Sequence, residues 1–94
     1  MEHRPRERRM KVLAAIAAHR EERGYPPTMR DVANRTGLAF GSMHYQITVL
    51  TRDRLIERSP GVSRSLRLTE NGEIRLEQAT RYRAVAAQMR LTLA

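Results

Sequence analysis

The segment Gly24-Tyr25-Pro26-Pro27-Thr28, continued by Met29-Arg30-Asp31-Val32-Ala33-Asn34-Arg35-Thr36-Gly37-Leu38, leaves this chain few ways to fold. Gly24 suits the left-handed conformation that ends a helix. Two prolines cannot continue that helix and push the backbone toward extended geometry. Thr28 can then cap a new helix by accepting a hydrogen bond from an N–H near Asp31. Asp31 itself sits in the first turn, where a negative charge suits the helix dipole. Val32, Ala33 and Leu38 face inward in this reading, and Gly37 makes the sharp turn before a further helix. Stop, elbow, capped short helix and tight turn together are the opening of a helix-turn-helix.

The chain has 94 residues, enough for one small domain, and 18 Lys+Arg against 10 Asp+Glu give it a formal net charge of +8. Such an excess favours nucleic acid or an anionic surface as partner and carries no information about sequence specificity. Lys11 is the sole lysine. The bias to arginine has two readings: phosphate recognition by the guanidinium fork, or a GC-rich coding sequence, which the abundance of alanine also fits. Cysteine is absent, which removes disulfides, thiol nucleophiles and cysteine metal sites. The longest apolar run, Val12 to Ala18, is far below the roughly 18 residues of a membrane span, and the N-terminus lacks the apolar stretch of a signal peptide. The expectation is a soluble, cytoplasmic protein.

Residues 1–5 read as a disordered basic tail, 6–68 as a winged helix-turn-helix, and 69–94 as a C-terminal helix and dimerisation element. A first helix is predicted from Arg6 to Arg23, with Pro5 ahead of it and Met10, Leu13, Ile16 and Ala17 as core face; Glu7 and Lys11 form a supporting i,i+4 pair. A second covers Met29–Thr36. A third runs from Gly41 or Ser42 to Asp53, capped by Ser42, with Met43, Ile47 and Leu50 inward. Leu55–Arg58 and Ser65–Leu68 read as strands around the Ser59-Pro60-Gly61 turn. Thr69 caps a last helix reaching about Leu93. The fold class is therefore mainly α, with a small β-hairpin wing and a long C-terminal helix.

These residues resemble the DNA-binding domain of the LexA repressor family, over roughly Val12 to Leu68. The resemblance rests on Ile16, His19 and Gly24-Tyr25-Pro26-Pro27-Thr28, then Arg30-Asp31-Val32-Ala33 with Gly37-Leu38, then Ser42 to Leu50, Leu55-Ile56 and Ser63-Arg64-Ser65-Leu66-Arg67-Leu68. It implies that Gly41 to Tyr45 read bases. The turn before the third helix is about one residue shorter than the family's, and Arg54 stands where a glycine commonly ends the recognition helix. The family's full-length members carry a self-cleaving protease domain for which this chain is too short, so self-cleavage is not carried over. The segment Leu68-Thr69-Glu70-Asn71-Gly72 and its helix are similar to the region after the wing in MarR- or PadR-like regulators, where that helix often helps dimerise.

Ser42, His44, Tyr45, Gln46 and Thr48 are the candidates for reading bases, since the exposed half of such a helix meets base edges in the major groove; the alternative is a solvated polar face. Thr28, Arg30 and Arg52 are candidates for holding phosphates around that helix, and Arg58, Arg64 and Arg67 for contacts from the wing, against solvated arginines as the alternative. Tyr82, Val85 and Met89 form a candidate dimer seam, with Ile74 packing on its own domain; the alternative folds the helix back on the first one. His3, His19 and His44 are too scattered for a metal site, and His19 is expected on the surface of the first helix or partly buried. No cofactor, metal or small-molecule ligand is expected, and nothing meets the criteria for an enzyme site. The expected partners are double-stranded DNA and a second copy, for a sequence-specific transcriptional regulator, a repressor by steric exclusion. The competing class is a nonspecific architectural, replication- or packaging-linked DNA-binding, or RNA-binding, module; a protein-only scaffold fits the charge less well.

Overall fold

The computed structural model describes residues 5–93, so the tail assigned to residues 1–5 lies outside the described residues except for Pro5, which opens the first helix. The elements are α1 (Pro5–Arg23), α2 (Met29–Thr36), α3 (Phe40–Arg52), β1 (Ile56–Glu57), β2 (Arg67–Leu68) and α4 (Glu70–Leu93). The strands pair antiparallel, Ile56 opposite Leu68 and Glu57 opposite Arg67. This is a winged helix. The strands are shorter than predicted: the turn N–H of Val62 binds Ser59 O, and the buried Ser65 hydroxyl takes the Ser59 N–H and donates to Val62 O, so side-chain bonds replace ladder bonds at the wing tip.

Local chemistry explains the helix-turn-helix. Gly24 and Gly37 lie at φ 82° and 72°, where a Cβ would be strained, and donate to Arg20 O and Ala33 O at 2.9 Å. Thr28 and Asp31 form a reciprocal capping box: Thr28 Oγ1 accepts from the Asp31 N–H at 3.0 Å, and Asp31 Oδ2 accepts from the Thr28 N–H at 2.9 Å. Buried Val12, Leu13 and Ile16 place α1 at the centre, against Val32 of α2, Met43, Ile47 and Leu50 of α3, and Leu55, Ile56 and Leu66 of the hairpin. Val12 was not in the predicted core face, which widens toward it because α1 is covered on several sides.

Three predictions need correction. The third helix begins at Phe40, with extended Ala39 before it and no side-chain cap; Ser42 lies inside the first turn, where helical backbone keeps it from capping. Ile74 is exposed, and Gly72, Leu76 and Ala79 face inward instead. Gly72 lies against the Leu55 carbonyl and sets the rotation of α4, so Ile74, about 200° further round the helix, must face out. His19, expected on the surface or partly buried, is 6% exposed.

The end of α3 shows what Arg54 does. Leu55 N–H binds Leu50 O at 2.9 Å and Arg54 N–H binds Thr51 O at 3.1 Å, the double bond pattern of a Schellman motif with Arg54 at its left-handed position, φ 61°. Arg54 is the one described non-glycine residue with positive φ. The turn is held by Leu50 and Leu55 in the core and by the Thr69 hydroxyl, which donates to Arg54 O at 2.7 Å. Left-handed backbone costs an L-residue roughly 1–2 kcal/mol, partly offset by the greater chain entropy glycine loses. Arg54→Gly is expected to raise stability by about 0.5–1 kcal/mol, seen as a melting temperature a few degrees higher. An unchanged or lower midpoint would mean that Arg54 carries no backbone cost here.

Candidate nucleic-acid interface

The outer face of α3 is built by what its inner face is tied to. Met43, Ile47 and Leu50 sink into the core. Gln46 follows them inward: it is 2% exposed and its Oε1 accepts from Arg9 Nε of α1 at 3.0 Å. The expectation that Gln46 reads bases from the exposed face is therefore corrected; its amide anchors α3 to α1. His44, Tyr45, Thr48 and Arg52 stand exposed along one side of the helix, and Ser42 is half-buried at its start. The Thr48 hydroxyl donates to His44 O at 3.1 Å, leaving its lone pairs toward solvent. The His44 ring lies 6.5 Å from that of Phe40, tilted by 32°.

Around this face the basic residues divide by what already holds them. Arg64 Nη1 is 3.1 Å from Asp31 Oδ2 and 3.4 Å from Pro26 O, and its guanidinium sits 4.7 Å over the Tyr25 ring. It fastens the wing to the start of α2. Arg67 Nε reaches Glu57 Oε2 across the hairpin at 3.2 Å, and Arg52 Nε reaches Asp53 Oδ1 at 3.3 Å. Exposed pairs of that kind contribute about 0–1 kcal/mol, so a phosphate exchanges for either carboxylate at little cost. Arg30 and Arg58 are exposed, with no ion pair among the described residues. They line one cleft of about 270 Å³ between α2 and the wing, together with Thr28, Phe40 and Val62.

Asp31 is the hub behind this surface. The Thr28 N–H holds its carboxyl below the usual carboxylate range, helped by the Thr28 hydroxyl, His19 and Arg64 and opposed by desolvation. His19 Nδ1 accepts from Arg35 Nε at 3.3 Å, and Nε2, without a hydrogen bond of its own, lies 3.6 Å from Asp31 Oδ2. Arg35 continues to Glu22 at 2.7 Å, which lowers the Glu22 pKa through that hydrogen bond. Beyond the Thr28–Asp31 cap the sequence carried no sign of this network, because its members come from α1, α2 and the wing; the anchoring role of Gln46, held by Arg9 from α1, escaped for the same reason. Among the described residues no group of three or more His, Cys, Asp or Glu could hold a metal, and no helix is long and apolar enough to cross a membrane.

On α4, Tyr82, Val85 and Met89 lie at helical spacing, 75%, 57% and 56% exposed. Beyond Thr80 the helix has little of its own domain to cover it, and Val85, Gln88, Met89 and Thr92 bound a shallow hollow.

Residues 5–65 match the family described as the LexA DNA binding domain. The LexA repressor of Saccharophagus degradans is 39% identical over 64 residues, 67% of this chain and 32% of that protein. The LexA repressor of Parafrankia sp. is 32% identical over 82 residues, 86% of this chain and 33% of that protein. The chain thus matches about a third of the length of these curated relatives. Among solved structures, a point mutant of S. aureus MepR superposes with a TM-score of 0.80 at 19% identity, covering 93% of this chain and 64% of that one, a likeness of fold.

Proposed function

The chain belongs to the LexA DNA-binding-domain family, and from that premise we propose that it is a sequence-specific double-stranded DNA-binding transcriptional repressor acting as a homodimer on a near-palindromic operator. The observation that carries this reading is the arrangement around α3. An exposed polar face, His44, Tyr45, Thr48 and Arg52, stands beside the capped start of α2 and the wing, on a chain of net charge +8. A helix presented in this way enters the major groove. The first amides of α2, which have no intrahelical acceptor, and Thr28 and Arg30 would grip one phosphate strand. Arg58 and Arg67 would track the backbone from the wing, and Arg64 would join them on leaving Asp31. No step calls for a cofactor. Two α4 stripes of Tyr82, Val85 and Met89, packed together, would set two recognition helices on successive major grooves and exclude polymerase. Such a regulator works where the DNA is, in the cytoplasm of a bacterial cell.

The test is a selection from random double-stranded DNA at about physiological salt with excess competitor. Enrichment of a motif with inverted halves about one helical turn apart supports the reading. Binding that enriches nothing and merely tracks salt moves the chain to the nonspecific class. On the enriched site, Arg52→Ala is expected to weaken all sequences alike and to lower the salt slope by about one. His44→Ala and Tyr45→Ala are expected to relax preference at particular base pairs, at about 1–3 kcal/mol each. Unchanged preference in both would sink the assignment of α3 as the reading helix.

A further inference from the structure

Phe40 is the chain's one phenylalanine, and the fold does not use it. It opens α3 with 54% of its surface exposed, outside the core cluster. A single exposed apolar residue is ordinary; the surroundings of this one are not. It shares its cleft with Val62 of the wing tip, itself 56% exposed, and with Arg30 and Arg58. An apolar patch between cations that lack ion pairs among the described residues suits a partner with apolar spots on an anionic frame. Beside it, Gly41 occupies a helical position at which alanine would be better by up to about 1 kcal/mol. No atom lies within 4 Å of where its Cβ would stand. Neither packing nor backbone conformation in this chain asks for glycine there, so the space is open to something from outside.

We propose that Phe40 is a specificity-determining residue that reads the C5-methyl group of thymine, with bare Gly41 letting the base edge come close. This rests on the reading of α3 as the major-groove helix. The thymine methyl is the apolar feature of the major groove, and an aromatic side chain is one of its partners. Arg30 and Arg58 supply the phosphate contacts that bring the helix start to that depth.

The experiment takes the duplex enriched by the full chain and replaces each thymine singly by uracil, which lacks that methyl and keeps the pairing edge. Expected is one position per half-site at which the wild-type protein loses about fourfold in affinity, the worth of one buried methyl. Phe40→Ala is expected to bind more weakly and to show a ratio near one at that position. Phe40→Leu, still apolar, is expected to keep part of the discrimination. Phe40 is exposed, so these variants keep the fold, checked by an unchanged melting temperature. Uracil tolerated at every position, or a penalty that persists undiminished in Phe40→Ala, overturns the proposal while leaving the reading of α3 in place. If no duplex is enriched, that reading falls and this one with it.

Discussion

Gly72→Ala is expected to cost about 3 kcal/mol and to lower the melting temperature by 12 °C or more, by the usual about 4–8 °C per kcal/mol for a domain of this size. The added methyl would overlap the carbonyl oxygen of Leu55 and press on the Leu68 side chain. Overpacking usually costs 1–3 kcal/mol, and this site belongs at the upper end because the obstacle is backbone. Leu55 O cannot swing aside cheaply: it accepts the Thr69 N–H at 3.0 Å, while Thr69 Oγ1 accepts from the Gly72 N–H at 3.0 Å and donates to Arg54 O. The methyl therefore has to lift α4 from the hairpin. Gly41→Ala is the control, since its Cβ meets nothing and the change favours the helix by up to about 1 kcal/mol. Thermal unfolding followed by circular dichroism decides the matter; a Gly72→Ala midpoint within two or three degrees of wild type would show that the junction yields.

The double substitution Val85→Ser with Met89→Ser is expected to weaken binding to a two-half-site operator by about 100-fold or more. Both side chains lie more than half exposed on the outer part of α4, so the fold loses almost nothing. A two-fold interface loses each change twice. Burying one such side chain is worth about 1.5–3 kcal/mol, and serine brings no charge that the neighbouring arginines could pair with. Separating the two modules forfeits an avidity gain of the order of 10²–10⁴. Sedimentation should show the mass falling from twice 10.9 kDa to 10.9 kDa, while affinity for a single half-site stays within about twofold. A wild-type protein that sediments as a monomer at micromolar concentration, or a double variant that keeps operator affinity, would remove the seam from this stripe.

Where structure is dictated by neighbours in sequence, the chain could be read closely. The bounds of α2 follow from Thr28, Asp31 and Gly37, whose bonds close within a few residues. The hairpin position and the Thr69 cap were equally visible for that reason. What escaped depends on partners far along the chain. Gln46 looks like any polar helix residue until Arg9, 37 positions away, takes its oxygen. Arg64 reads as a free wing cation until Asp31 and Tyr25 claim it. Ser42 carries the right chemistry for a cap, yet the helix had already begun at Phe40 because extended Ala39 supplies the turn without one. On the candidate interface, the exposure of His44, Tyr45 and Thr48 followed from helical periodicity, whereas Phe40 needed its exposure and its cleft to be seen.

Only Thr69 separates β2 from α4, and its backbone and hydroxyl are both bonded to the turn after α3. The long helix is thus geared to the hairpin without a swivel. An α-helix advances about 1.5 Å and turns about 100° with each residue, so the count of residues between Gly72 and Val85 works as a phase setting. A deletion of one residue between Thr80 and Val85, where α4 has left most of its own domain, would leave every side chain of the wing and of α3 in place. It would nonetheless swing a docked second copy by more than a quarter turn, out of step with the winding of the duplex. In a homodimer of the kind proposed, selection on operator spacing would in this way act as selection on helix length.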